Sequence, residues 1–139
     1  MKLNADCIRD LLLFLETQPF YKTADLGSVT SEPVFLSQAA QALPEYPVDE
    51  LYYTLLVLGD GGYLQMEIEA EGNNEISCCV YFITYRGHEL LNSIRDGDQW
   101  ATVKKCLSAV RNYSLSAIQA VASGITETAI AAYVTKNQI

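Results

Sequence analysis

Two stretches of alternating side chains between residues 63 and 83 constrain the fold of this chain most strongly. In the first, three apolar residues face one way and three polar residues face the other, namely Leu64, Met66, Ile68 and Gln65, Glu67, Glu69. In the second, one face carries Ile76, Cys78, Val80 and Phe82. Alternation of this kind is typical of strands with one buried face. Because Gly72-Asn73-Asn74 lies between them, residues 70–75 are predicted to form the turn of an antiparallel hairpin.

Three helical segments precede this hairpin. The first covers residues 6–17, and its apolar stripe consists of Ile8, Leu11, Leu12 and Leu15. Ser37 is predicted to cap a short second helix that Pro44 ends, and a third helix covers residues 49–58 before a glycine-rich turn. Between the first two helices, only residues 28–36 are suited to pairing as an extended segment. Three helices followed by a hairpin is the order of a winged-helix domain, so we expect an α+β fold in which the hairpin is the wing.

Further helices are predicted after the hairpin. Thr84 is suited to cap a helix in which Gly87, Leu90, Leu91 and Ile94 share one side, and Gly87 lets that helix pack closely. Asp96 or Asp98 caps the next helix, whose stripe consists of Trp100, Val103, Leu107 and Val110. The last helix covers residues 114–136. We therefore predict a winged-helix domain over residues 1–112, with additional C-terminal helices. Residues 113–139 are predicted to form a helix that packs on this domain or makes a dimer contact.

Charge and hydropathy narrow the classes of partner. Seventeen acidic and nine basic residues give the 139-residue chain a net charge of −8. Such a field repels a phosphate backbone unless the bases lie together on one face. Arg9 and Asp10 interrupt the N-terminal apolar segment, and no small-residue cleavage motif follows, which favours a first helix over a secretory signal. Since no apolar run approaches the roughly 18 residues of a membrane span, the expected location is the cytoplasm, without membrane contact.

The third helix and the hairpin carry the main functional hypothesis. If the side with Leu51, Leu55 and Leu58 faces the core, the opposite side presents Tyr53, Leu56 and Val57 between acidic residues and contains no lysine or arginine. The hairpin adds four more carboxylates, Glu67, Glu69, Glu71 and Glu75. A helix that reads DNA presents polar and basic side chains to the groove, whereas an apolar centre rimmed by acids is typical of a protein-binding surface. We therefore expect Tyr53, Leu56 and Val57 to contact a protein partner.

The last helix suggests self-association. Small residues recur at four-residue spacing along it, as Ser116, Ala120, Gly124, Thr128 and Ala132. Such a row allows a second helix to approach closely, either from the same chain or across a homodimer. Ala120 and Gly124 are the predicted centre of that contact.

Two alternatives from other functional classes stay open at this point. In the first, the protein is a DNA-binding regulator of a mobile element, in which a dimer brings four bases into one strip, namely Arg86, Lys104, Lys105 and Arg111. In the second, it is a small enzyme centred on the single histidine, His88, beside Cys78 or Cys106.

The residues themselves predict no catalytic, metal or cofactor site. The four cysteines lack the spacing of a zinc site and are interpreted as buried apolar residues. Asp96 and Asp98 offer too few oxygens for calcium and are better explained as helix caps. The glycines at 59, 61 and 62 lead from a helix into a strand, which is the reverse of a phosphate-binding loop. We therefore expect a non-enzymatic protein without a small-molecule substrate.

Several motifs resemble a known group of sequences. Gly87-His88-Glu89-Leu90-Leu91, followed by Ile94-Arg95-Asp96 and Trp100, is similar to the signature of uncharacterised winged-helix domains found in bacteria, prophages and other mobile elements. Residues 1–12 and 49–64 look like further parts of that family, which has no assigned activity. Thr54 stands where relatives usually have a histidine, so the predicted recognition helix lacks one polar, titratable group. The resemblance implies a winged-helix fold, and it carries over no activity.

Overall fold

The computed structural model describes residues 1–137, with the side chains of residues 126, 129 and 137 outside the description. The chain divides into two compact units, residues 1–88 and residues 89–139. The helices are α1 (Ala5–Glu16), α2 (Leu36–Ala42), α3 (Val48–Asp60), α4 (Tyr85–Ile94), α5 (Gly97–Val110) and α6 (Leu115–Asn137). The strands are β1 (Tyr21–Asp25), β2 (Ser28–Ser31), β3 (Val34–Phe35), β4 (Leu64–Gly72) and β5 (Glu75–Ile83). The predicted α+β class is confirmed.

The first unit contains the strands of the described chain. β1 and β2 pair with each other, and a separate antiparallel sheet has the strand order β3-β5-β4. The predicted hairpin is confirmed as β4 and β5, which are paired from Leu64 and Ile83 out to Gly72 and Glu75. Since β3 pairs only with Val80 and Cys79, the outer half of the hairpin extends beyond the third strand.

The apolar stripe of α1 is confirmed as the centre of the core. Its four predicted residues, Ile8, Leu11, Leu12 and Leu15, are fully buried, as is Cys7. On α3, Leu51, Leu55 and Leu58 are buried, as the functional hypothesis requires. Helices whose apolar faces are removed from water in this way are held mainly by packing, since isolated helices of 12 or 13 residues are marginal in water.

Asn4 joins the start of α1 to α3. Its side-chain oxygen accepts hydrogen bonds from the N–H groups of Asp6 at 3.0 Å and Cys7 at 3.3 Å. Its Nδ2 group donates to Glu50 Oε1 at 2.8 Å. One side chain thus caps a helix whose first N–H groups have no helical acceptor and ties that helix end to a second helix.

We expect Asn4→Ala to lower the free energy of unfolding by about 1–2 kcal/mol, because both functions of the side chain are lost. Asn4→Ser is the matched control, since serine caps helices well but is too short to keep the bond to Glu50. Urea unfolding should place the serine variant between the wild type and the alanine variant. Equal midpoints for alanine and wild type would refute the role assigned to Asn4.

Four local predictions about the first unit need correction. Residues 21–25 form a strand that the sequence did not predict, because β1 is exposed on both faces and has no buried alternation. The second helix begins at Leu36, and the Gln38 side chain accepts the Phe35 N–H at 2.8 Å, so Ser37 lies inside the helix and does not cap it. The third helix runs through Gly59 to Asp60. Thr54 lies on the buried side of α3, where its hydroxyl donates to Glu50 O, so its identity leaves the exposed face unchanged.

A fifth correction concerns the inner face of the hairpin. Cys78 and Val80 are buried as predicted, but Phe82 is exposed and Ile83 is buried in its place. The register explains the change, because Met66 pairs with Val80 whereas Gln65 pairs with Phe82. The additional residue, Tyr81, forms a bulge, and a one-residue shift moves each following side chain to the opposite face.

The first turn of α4 lies against the segment that leads into β4. Thr84 caps α4 as predicted, since its hydroxyl oxygen accepts the Gly87 N–H at 3.1 Å. The same hydroxyl donates to Gly62 O at 2.6 Å, and the Thr84 N–H donates to Tyr63 O at 3.2 Å. Arg86 donates to the Tyr63 hydroxyl at 3.0 Å, with its guanidinium 4.6 Å from the ring centroid. The expected close packing at Gly87 is confirmed, because a Cβ there would meet the Tyr63 backbone.

The second unit consists of the rest of α4 together with α5 and α6. Of the two predicted caps, Asp96 is the one that caps α5, accepting the N–H groups of residues 98 and 99 at 2.9 Å. Trp100, Val103 and Leu107 are buried as predicted, but Val110 is exposed because it is the last residue before the left-handed Arg111 ends the helix. α6 packs against α5 and buries Ile118 and Ala122.

Candidate functional site

A groove of mixed apolar and polar lining lies between the exposed side of α3 and the strand that follows it. It has a volume of about 240 Å³ and is lined by Leu56, Gly59, Asp60, Leu64, Gln65, Met66 and Ile68. Of the three predicted contact residues on α3, Leu56 lines this groove, whereas Tyr53 and Val57 are half-buried and are not among its lining residues. The sequence thus indicated one wall of the groove, and the fold supplies the second wall from β4.

Sequence reasoning missed Met66 and Ile68 as site residues, because their alternation marked them as core. Both lie on the inner, apolar face of the hairpin, yet Ile68 is 43% exposed and Ile76, on the same face of β5, is 48% exposed. A second groove, of about 560 Å³, runs from Ile76 and Ser77 to Phe35 and Val48. Strand length was the signal in the sequence that could have indicated these exposed apolar residues. Two nine-residue strands present more inner surface than one 13-residue helix can cover.

The charged residues of this region are all acidic. Residues 23–85 contain ten acidic residues and no lysine, arginine or histidine. The first unit has thirteen acids and four bases, for a net charge of −9, and the second unit has four acids and five bases, for a net charge of +1. Charge of one sign on this scale steers and selects partners of the opposite sign.

The outer face of the hairpin holds part of this charge in fixed positions. Glu67, Glu69 and Ser77 lie on the face opposite the apolar side chains, and Glu67 accepts a hydrogen bond from the Tyr81 hydroxyl across the strands. This bond raises the pKa of the Tyr81 hydroxyl well above its ordinary value, because the neighbouring carboxylate disfavours a second negative charge. The glutamates therefore form a row along an ordered strand.

The predicted small-residue row on α6 is exposed. Ser116, Ala120, Gly124, Thr128 and Ala132 all lie at the surface, and a Cβ added at Gly124 would meet no atom within 4 Å. The packing of α6 against α5 uses Ile118 and Ala122 instead, so the row is not the contact within the chain. In contrast to the expectation that no segment approaches a membrane span, residues 115–136 are long and apolar enough to cross a membrane by length and composition alone, and 19% of this stretch is buried.

The four bases of the DNA-binding alternative have different surroundings. Arg86 belongs to the first unit and is held over the Tyr63 ring. Lys104 and Lys105 are exposed on α5, and Arg111 is exposed where that helix ends. Lys104 and Lys105 lie within α5, whereas Arg111 follows its last residue, Val110.

The groups of the enzyme alternative are an exposed histidine and thiols of mixed exposure. His88 is exposed within α4, and its backbone N–H donates to the backbone oxygen of Thr84 at 2.9 Å as part of the helix. Cys7 and Cys78 are buried, and desolvation raises the pKa of each thiol to about 11 from an ordinary value of 9.0. A thiol of that pKa is a poor nucleophile at neutral pH. Over residues 1–137, no group of three or more His, Cys, Asp or Glu residues is arranged to hold a metal ion.

The burial of these thiols gives a measurable expectation. At pH 8, Cys106 should react rapidly with a thiol reagent such as iodoacetamide, whereas Cys7 and Cys78 should be labelled only when the protein unfolds. Folding raises the pKa of both thiols, so the contribution of their protonated forms to the free energy of unfolding is present in full below about pH 9. That contribution is lost as the pH rises towards about 11. Mass spectrometry of Cys106→Ser should show loss of the rapid label. Rapid labelling of Cys7 in the folded protein would contradict the burial.

Comparison with known sequences places this geometry in a family. The family described as "Hypothetical protein (DUF2513)" matches residues 2–113, which is most of the chain. The chain belongs to this family. An uncharacterized protein of Haemophilus influenzae is 30% identical over 126 residues, covering 90% of this chain and 95% of the relative. No solved structure matches significantly. The predicted membership of a family without an assigned activity is confirmed, and the matched residues include α3 and the hairpin but end before α6.

Proposed function

We propose that the first unit is a winged-helix module, non-enzymatic and cytoplasmic, that binds a protein through the groove between α3 and β4. The order of α1, β3, α2, α3, β4 and β5, with the strand order β3-β5-β4, supports the winged-helix assignment. β1 and β2 are then an insertion after the first helix. The observation that carries the proposal is an exposed groove, lined in part by Leu56, Met66 and Ile68, inside a 63-residue stretch without a single basic residue.

The charge argues for a protein partner over a nucleic acid. Binding to a duplex gains its affinity largely from lysine and arginine side chains that neutralise phosphates. Around α3 and the hairpin the ionisable surface is acidic, with Asp60 in the groove and Glu67 and Glu69 on the opposite face of β4. An apolar centre with a charged rim is the arrangement of many protein interfaces.

Site-specific photocrosslinking tests this proposal. A benzophenone amino acid is placed at Leu56 in the groove and, as a control, at Leu26, which is fully exposed in the turn between β1 and β2. The expected result, in cells of the organism that encodes the protein, is a crosslinked protein from position 56 that is absent from position 26. Adding Ile68→Asp should abolish that crosslink, with circular dichroism showing an unchanged fold. Equal products from both positions would refute the proposed interface.

A DNA-binding regulator of a mobile element is the second candidate. Lys104, Lys105 and Arg111 favour it, because they are exposed in the unit whose net charge is positive. A labelled mixed-sequence duplex, titrated at low salt and followed by fluorescence anisotropy, separates the two candidates. Affinity that falls steeply with salt and is lost in Lys104→Ala/Lys105→Ala would establish this role. Absence of binding at low salt favours the protein-binding module.

Self-association through α6 is a further part of the proposal. The exposed small-residue row and the exposed side chains of Ile130, Tyr133 and Val134 support it. Gly124→Leu should then convert the oligomer to a monomer in analytical ultracentrifugation, because a leucine would hold the two helices apart. Gly97→Leu, at a glycine with equally open surroundings in α5, is the control. An oligomer that survives Gly124→Leu would exclude this row as the contact.

A further inference from the structure

The outer edge of β4 is a long strand edge without a strand partner. In the described part of the chain, β4 pairs only with β5, and no backbone hydrogen bond joins residues 64–72 to any other segment. From Gln65 to Gly72, every residue except the half-buried Met66 is exposed. Alternate N–H and C=O groups of an edge strand point away from the sheet, so such an edge can pair with an additional strand.

Side-chain sites accompany this edge on both faces. On the inner face, Met66 and Ile68 line the groove whose other wall is Leu56 of α3. On the outer face, Glu67 and Glu69 alternate with them. Recognition by strand addition uses these two elements, since main-chain hydrogen bonds give affinity and pockets for alternate side chains give specificity.

We propose that the edge of β4 binds an extended peptide segment of a partner protein as a fourth strand, with basic residues alternating with apolar ones in that segment. This inference rests on the proposed function and names its binding mode. Residues of the segment opposite Met66 and Ile68 enter the groove beside α3. Residues opposite the glutamates lie on their face, where lysine or arginine forms cross-strand ion pairs.

The charge also decides between this partner and a second copy of the chain. Pairing two β4 edges would bring two glutamate rows onto one sheet, where like charges on facing strands are destabilising. Each first unit also carries a net charge of −9, which opposes their association. Glutamates on an edge strand are a common protection against this kind of self-pairing. A basic, alternating segment meets no such penalty.

The first test uses two fluorescein-labelled peptides of nine residues and equal composition. In one, lysine and valine alternate strictly; in the other, the lysines precede the valines as two blocks. Fluorescence anisotropy with the full-length protein should show the alternating peptide binding at least about tenfold more tightly, a difference of ~1.4 kcal/mol. Equal affinities would mean that charge attraction alone explains binding and would overturn the proposal, as would no binding of either peptide.

Hydrogen–deuterium exchange then reports the backbone contact. The alternating peptide should slow the exchange of amides in residues 64–72 severalfold, because outward N–H groups gain acceptors, and should leave residues 21–31 unchanged. Binding without protection of β4 would rule out strand addition. Protection that depends on protein concentration without peptide would instead assign the edge to a second copy, against the proposal.

Two pairs of variants complete the test. Ile68→Lys should lower the affinity for the alternating peptide at least about tenfold. Ile76→Lys should have little effect on that affinity, because Ile76 is similarly exposed on the same face but lies on β5. Glu67→Lys/Glu69→Lys should switch the preference to a peptide of alternating glutamate and valine. Each glutamate-to-lysine change adds two charges, so this variant stays net negative at −4 and non-specific attraction would still favour lysine. A preference that does not switch would overturn the pairing register.

Failure of this inference can be told apart from failure of the proposed function. A crosslink from Leu56 that is lost in Ile68→Asp, combined with no strand addition, would leave the protein-binding module in place and reject its binding mode. If neither the crosslink from Leu56 nor strand addition is observed, the groove is rejected as a binding site.

Discussion

Replacing Gly87 with alanine is expected to lower the free energy of unfolding by about 3 kcal/mol, although alanine favours helices by about 1 kcal/mol. The new Cβ would lie 2.6 Å from Ile83 Cγ2 and 3.1 Å from the Tyr63 carbonyl carbon, and closer still to the Tyr63 carbonyl oxygen. Backbone atoms cannot rotate away as a side chain can. The first turn of α4 would have to move from the segment that enters β4, breaking the hydrogen bond between Thr84 N–H and Tyr63 O.

Gly124→Ala is the matched control for this prediction. Gly124 is also a helical glycine, but a Cβ there meets no atom of the same chain within 4 Å, so at concentrations where the protein is monomeric only helix propensity remains. Urea unfolding followed by circular dichroism should show a stability gain of up to about 1 kcal/mol for Gly124→Ala and a large loss for Gly87→Ala. If both substitutions shifted the midpoint in the same direction, α4 would not be packed against Tyr63 as described.

Truncating Tyr63 should cost about 3–5 kcal/mol of folding free energy in the alanine variant. The ring is 1% exposed, and it supports the guanidinium of Arg86 on one face while its hydroxyl accepts a hydrogen bond from it. Alanine would leave a cavity in the core and release Arg86. Tyr63→Phe retains the ring and removes only the hydroxyl, so its cost should be about 1 kcal/mol.

The measurement for Tyr63 is again chemical unfolding, with Arg86→Ala as a third variant. Because Tyr63→Phe and Arg86→Ala remove parts of one contact, their combined effect should be smaller than the sum of the two. A phenylalanine variant as unstable as the alanine variant would show that the hydroxyl, and not the packed ring, supports this junction.

Much of the fold follows from local patterns. The stripe Ile8, Leu11, Leu12 and Leu15 predicts a helix and its buried side, because only a core offers that many apolar side chains a place away from water. The alternation in residues 64–83 predicts two strands for the same reason. Thr84 and Asp96 predict helix starts because their oxygens accept N–H groups that lack helical partners.

The incorrect local predictions involve positions where a distant contact overrides the local signal. Phe82 and Ile83 exchange faces because a bulge at Tyr81 resets the alternation, and no residue type in that segment demands a bulge. Gly59 stays helical, although a glycine near the end of a helix usually indicates its C-cap. β1 lacks any apolar period because all five of its residues are exposed, and it is held by pairing with β2.

The candidate site divides in the same way. The sequence by itself determined that α3 presents Leu56 on an acidic face and that no cation lies between residues 23 and 85, since composition and helical period need no tertiary information. Only the tertiary structure decided that Met66 and Ile68 face Leu56 across a groove and that β4 is the edge strand. The physical reason is that strand order and register depend on pairings between residues far apart in the chain, and alternation reveals a strand without revealing its neighbour.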